Sequence, residues 1–178
     1  RTGASGIRTW SFCPEVAAFV LEREQLLRTT LEEAWSFFST PRNLARITPA
    51  DLGFEIREPF DDKPAHAGQL ITYSVKPILG IPLTWVTRID DVQAPYRFVD
   101  TQLRGPYKRW HHVHTFRECE GGVLMHDRVE YELPMGILGE LLHDALVKGR
   151  LKRIFDHRWA VLEAIFPPAR TDRGIPLF

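Results

Sequence analysis

The sequence contains no apolar run near the ~18 residues that a membrane-crossing helix needs, and no leader segment is visible. The cytoplasm is therefore the expected compartment. Its two cysteines, Cys13 and Cys119, are too few for a disulfide framework and are not spaced as a metal-ligand pair. There is no excess of either charge: 23 basic residues balance 23 acidic ones. Without a basic surplus, broad nucleic-acid binding is not expected. A P-loop, a Gly-x-Gly-x-x-Gly turn and a Gly-x-Ser-x-Gly elbow are all missing, so no nucleotide cofactor is expected. No internal repeat is found. What the chain does have is 13 Pro, 11 Phe and 5 Trp in 178 residues, 44% of them hydrophobic. That is enough to bury one core without staples. Residues 17–166 are expected to form a single domain. Residues 1–16 are read as an N-terminal extension, and 167–178, after Pro167-Pro168, as a tail.

Phe19 to Thr29 reads as a strand. Thr30 is placed as an N-cap, with Glu32 and Glu33 in the first turn of a helix from Leu31 to Phe38. A second short helix is expected over Arg42 to Ile47, closed by Pro49. The period then changes. Phe54–Glu58, Gln69–Val75, Leu83–Ile89, Arg97–Leu103, Lys108–Arg117 and Val123–Leu133 are rich in β-branched and aromatic residues and alternate in polarity. Short turns such as Gly80-Ile81-Pro82, Ala94-Pro95 and Gly121-Gly122 separate them, which implies antiparallel hairpins. After Pro134-Met135-Gly136 a helical stripe returns: Leu138, Leu142, Ala145, Leu146, Gly149, Ile154, Phe155, Leu162, Ile165 and Phe166. A helix of about 25–30 residues is expected there, well above the mean. The basic run Lys148–Arg153 is placed on its solvated face in preference to an acidic-lipid or nucleic-acid contact. A long helix with a partial stripe needs a sheet to lie on, and such a pairing commonly encloses a ligand cavity.

Alternation puts Trp110, His112, His114 and Phe116 on one face of their strand, and Val123, Met125, Asp127, Val129 and Tyr131 on one face of the next. Both faces are assigned to the interior, as is Trp85 with Thr87 and Ile89. For Arg97–Leu103 the choice stays open between Phe98/Asp100/Gln102 and Val99/Thr101/Leu103. The candidate ligand-binding residues are therefore Trp85, Phe98, Asp100, Gln102, Trp110, His112, His114, Phe116, Asp127 and Tyr131. Interior histidines and carboxylates must satisfy each other or a ligand. Three roles are compatible with them: a structural network, the polar anchor of a pocket, or acid–base catalysis by His112, His114 and Asp127. His112 and His114, with Asp127 or Asp100, also have permissive metal spacing, but spacing alone assigns no metal. A solvated site at His111 with His126 has nothing to orient it. Acidic neighbours make Cys119 a poor nucleophile.

The run Pro95-Tyr96-Arg97-Phe98-Val99-Asp100-Thr101-Gln102-Leu103-Arg104-Gly105-Pro106-Tyr107, followed by Trp110-x-His112-x-His114-x-Phe116, resembles bacterial proteins of the START/Bet v 1-like (SRPBCC) superfamily. So do Gly121-Gly122, Asp127-Arg128-Val129-Glu130-Tyr131 and Leu133-Pro134-x-Gly136. The similarity is to its cyclase/dehydrase-like branch and spans about residues 19–166. It implies an α+β helix-grip fold: a seven-stranded curved antiparallel sheet wrapped around a long C-terminal helix, with two short helices after the first strand. Within that superfamily fold does not determine function. The expected activity is binding of a hydrophobic small molecule such as a lipid, isoprenoid or aromatic metabolite. The alternatives are a cyclase or dehydratase using the His–Asp cluster, and a co-chaperone-type interaction module.

Overall fold

The computed structural model describes residues 18–78, 80–134 and 147–167. The N-terminal extension, nearly all of the tail and the expected helix start around Leu138 lie outside the described residues.

Strand β1 (Phe19–Leu27) stops two residues short of its expected end. There the Thr29 amide turns back to Leu27 O, and Thr30 already caps the next element. Thr30 Oγ1 accepts from the Glu33 amide at 3.2 Å at the start of α1 (Leu31–Phe38). Leu31, Ala34 and Phe37 form the buried face of α1, as their 3–4 spacing dictates. Helix α2 is only Asn43–Arg46, shorter than expected. A 3₁₀ turn over Ala50–Leu52 follows Pro49 and ends on Gly53 at a φ of 52°. Strand β2 shrinks to Glu55–Ile56, followed by one more bond from the Arg57 amide to Thr72 O at 2.8 Å. Then come β3 (Leu70–Ile78), β4 (Ile81–Gln93), β5 (Arg97–Arg104), β6 (Arg109–Cys119) and β7 (Gly122–Glu132). β4 is longer than its apolar core Leu83–Ile89 suggests, since register shifts let it bend and keep pairing with β5.

The seven strands form one antiparallel sheet in the order β1-β7-β6-β5-β4-β3-β2. Consecutive hairpins build β2 to β7, and β1 closes against β7 with Phe19 opposite Tyr131 and Leu27 opposite Val123. Buried and half-buried residues alternate along the whole of β7 and most of β6. That is the period-2 signature of a sheet with one interior face.

The described part of the last helix, α3, spans Gly149–Ile165. Lys148 is already helical and provides no side-chain cap. Leu151, Phe155, Arg158 and Leu162 form its buried face. Gln25 on β1 ties it down by donating to Trp159 O at 3.0 Å. Arg153 pairs with Asp51 at 2.6 Å on the opposite side. One apolar cluster joins α1, β3, β6, β7 and Leu162. A second joins Trp110, Val129, Tyr131 and Leu133 to Leu151 and Phe155. The polar residues of β6 and β7 fall between the two. No helix among the described residues is long and apolar enough to cross a membrane.

Candidate functional site

A cavity of about 210 Å³ lies between the interior face of the sheet and α3, reaching toward α1 and α2. Its wall is mainly apolar and includes the rings of Phe54, Tyr73, Trp85, Phe98, Trp110 and Phe155. Tyr73 and Trp85 stack at 5.8 Å between centroids, and Trp85 meets Trp110 edge-on at 5.4 Å. The Tyr73 hydroxyl is satisfied by Thr87 Oγ1 at 3.1 Å, and burial pushes its pKa up. One part of the wall is ionisable. It is made by Asp100, His112, His114 and Arg158.

Strand register explains this cluster. Asp100 on β5 stands opposite His112 on β6, and His114 stands opposite Asp127 on β7. Opposed residues share a sheet face, so two carboxylates flank two imidazoles. The rings of His112 and His114 lie 3.7 Å apart, and that of His114 stacks on Phe98 at 4.1 Å. Each imidazole turns one nitrogen to each carboxylate. Asp127 Oδ1 lies 3.1 Å from His112 Nε2 and 2.7 Å from His114 Nδ1. Asp100 Oδ2 lies 2.9 Å from His114 Nε2 and 3.6 Å from His112 Nδ1. Asp127 is fully buried, and its other oxygen accepts from Arg158 Nη1 at 2.8 Å.

The electrostatics follow. Burial alone would raise the pKa of Asp127, but Arg158, His114 and His112 together hold it well below the usual carboxylate range. Burial and the adjacent His114 push His112 down. Burial also pulls on His114, yet Asp127 and Asp100 outweigh it and the net shift is upward. The two imidazoles are thus pushed in opposite directions, as rings too close for both to carry charge should be.

The structure distributes the residues chosen from sequence unevenly. Trp85, Phe98, Asp100, Trp110, His112 and His114 line the cavity. Asp127 sits behind the histidines, off the wall. Phe116 also lies off the wall, because Trp35 and Phe38 of the α1 segment cover its ring. Tyr131 packs instead against Phe19 and Tyr107. Gln102 turns away to donate to Tyr107 O at 2.7 Å. On β5 the interior therefore takes Phe98 and Asp100 but not Gln102. His111 and His126 stand opposite Glu130 and Thr115, so the sheet does not bring them together.

Arg158 was not anticipated. A signal was present: it continues the 4–3–4 spacing of Leu151, Phe155 and Leu162, where an apolar residue is expected. The α3 wall residues Leu151 and Ile154 share that face.

No family model and no curated protein matches the chain. Solved structures do. Protein CV1439 from Chromobacterium violaceum superposes with a TM-score of 0.64 at 14% identity, covering 84% of this chain and 98% of that one. Major latex-like protein 151 from Panax ginseng gives 0.61 at 13% identity, covering 85% and 99%. Ara h 8.0201 gives 0.55 at 12% identity, covering 83% and 99%. With its seven antiparallel strands, short helices after β1 and closing α3, the chain has a Bet v 1-like helix-grip fold.

Proposed function

We propose that the protein binds a small, mainly apolar molecule of about one or two rings, an aromatic metabolite or short isoprenoid, with its polar end at Asp100, His112 and Arg158. The observation that carries this reading is the cavity itself, apolar on most of its wall, with several aromatic rings, and ionisable at one place. Pockets of this kind use apolar area for affinity and a few polar groups for orientation. An apolar void of ~150 Å³ suffices for benzene. The volume here, about 210 Å³, favours a molecule somewhat larger than one ring over a long acyl chain. Contact burial contributes ~25 cal/mol per Å² before the costs of association.

The catalytic alternative is less well supported. A general base needs a ring nitrogen free toward the substrate, and all four ring nitrogens of His112 and His114 face carboxylates. A co-chaperone role is not favoured by an interior that keeps an open cavity.

The test is calorimetric titration of metal-free protein with 2-naphthol and with palmitate, alongside native mass spectrometry of freshly purified protein. Saturable one-to-one binding of 2-naphthol, with palmitate at least tenfold weaker, is expected. Absence of binding by both compounds, together with no co-purifying small molecule, overturns the proposal.

A further inference from the structure

We propose that Asp100, His112 and His114 form a three-ligand site for a divalent first-row transition-metal ion, open toward the cavity. The proposal rests on how the two carboxylates sort the ring nitrogens, and it stands independently of the apolar-ligand reading.

The outward nitrogens, His112 Nε2 and His114 Nδ1, both meet one oxygen of Asp127. The remaining pair, His112 Nδ1 and His114 Nε2, both face one oxygen of Asp100. The two carboxylates differ in position: Asp100 belongs to the cavity wall, whereas Asp127 lies behind the histidines. For His112 this is the two-shell pattern of histidine metal sites: buried Asp127 bonds its far nitrogen at 3.1 Å and fixes the tautomer of the ligand, while His114 Nδ1 approaches the same oxygen at 2.7 Å. Arg158 holds that carboxylate in place from its other oxygen at 2.8 Å.

Distances lie near those the chemistry needs, with the two imidazoles, 3.7 Å apart between centroids, splaying to take one ion. At metal–nitrogen and metal–oxygen bonds of ~2.0–2.2 Å, neighbouring ligand atoms stand about 3.0–3.4 Å apart. Asp100 Oδ2 stands 2.9 Å from one inner nitrogen and 3.6 Å from the other. One donor atom from each of the three residues fits within a 4.8 Å span. A hydrogen-bond network satisfies part of the same groups, through His112 Nε2 with Asp127 at 3.1 Å and His114 Nε2 with Asp100 at 2.9 Å. The 3.6 Å separation exceeds a hydrogen bond, and His114 Nδ1 has no aligned partner among the described residues despite its approach to Asp127.

Two imidazoles and one carboxylate suit Zn²⁺, Co²⁺, Fe²⁺ or Mn²⁺. Three protein ligands on one side leave further coordination positions toward the cavity. With a dication bound and both histidines neutral, two carboxylates and the Arg158 guanidinium leave one positive charge in excess. An anionic donor entering the cavity, such as a carboxylate or phenolate, would balance it.

The experiment titrates chelator-treated full-length protein with Co²⁺, followed by visible absorption, and with Zn²⁺ in competition. Expected are one Co²⁺ per chain, intense visible bands of low coordination number, displacement by Zn²⁺, and a Zn²⁺-dependent rise in melting temperature. Asp100→Asn and His112→Gln should each weaken Co²⁺ uptake at least tenfold while circular dichroism stays that of the wild type. Should one variant fail to fold, the other decides, since both supply ligands. The proposal is overturned if the wild type takes up no Co²⁺ at about one equivalent, or if uptake is unchanged in the folded variants. Binding of 2-naphthol by metal-free protein is scored separately, so either result can fail without the other.

Discussion

Asp127 shows what the interior asks of a single residue. Fully buried, its charge depends on Arg158 and two histidines. Removing one partner of a buried ion pair costs about 3–5 kcal/mol, because the other is left uncompensated. Asp127→Asn in metal-free protein is expected to lose that much in urea unfolding at pH 7. Adding Arg158→Met should recover part of the loss, since it removes the stranded cation. The folded pKa of Asp127 is depressed. Its stabilisation is therefore fully present above the unfolded value of about 3.9 and is lost as pH falls through the folded pKa. The gap between wild type and Asp127→Asn should narrow at pH 3. The histidines work in opposite senses. The contribution of His114, raised in the fold, is present below about pH 6.5 and lost as pH rises through its folded pKa. That of His112, lowered in the fold, is present above about pH 6.5 and lost as pH falls. Equal stability differences at pH 7 and pH 3 would contradict the ionised Asp127. The histidines and Asp127 were legible from alternation because a polar residue on an apolar strand face stands out. Arg158 was not, because a cation in a helix rich in Lys and Arg reads as solvated, and only its place between Phe155 and Leu162 betrays it.

Among the elements, β6 and β7 were the most legible, and their hairpin explains why. Gly121 and Gly122 both adopt positive φ, 86° and 143°, which L side chains avoid. The tight turn sets a register in which Cys119 meets Gly122 and His114 meets Asp127. A one-residue slip would move every interior side chain to the other face. Gly122 also approaches β1: an added Cβ would run into the Leu27 carbonyl, beside the last β1–β7 pair. Gly122→Ala is therefore expected to destabilise by at least about 2 kcal/mol, through positive-φ strain plus a backbone clash. Urea denaturation checks this, and a change below 0.5 kcal/mol would remove the argument. Less periodic elements were less legible. β2 has only Glu55 and Ile56, too short for alternation to register. The Ala50–Leu52 turn hides between two proline-bounded segments. β4 outruns its apolar centre because its bends are tertiary, made by pairing with β5.

For the whole molecule, the question is what keeps a cavity open between a sheet and a helix that both have apolar faces. The α3 face divides by position. Leu162 is fully buried in the cluster under α1, whereas Leu151, Ile154 and Phe155 line the void. One end of α3 thus packs under α1, while the other joins the second apolar cluster and borders the void as well, and the ionisable cluster between the two cores resists collapse, because apolar side chains closed over its cavity side would bury the Asp100 charge further. Substitutions at the two ends should separate accordingly. Leu162→Ala should cost about 2–5 kcal/mol by cavity creation while the affinity of the folded protein for 2-naphthol changes little. Ile154→Trp places an indole in existing space. Its melting temperature should stay within a few degrees of wild type or rise, since new dispersion contacts offset lost freedom, while 2-naphthol binding falls at least tenfold. Melting curves and calorimetry on the two variants decide it. If Ile154→Trp unfolds the protein as severely as Leu162→Ala, α3 is packed along its whole length and the void is too small to hold a ligand. If both variants bind 2-naphthol as the wild type does, the ligand sits elsewhere on the molecule.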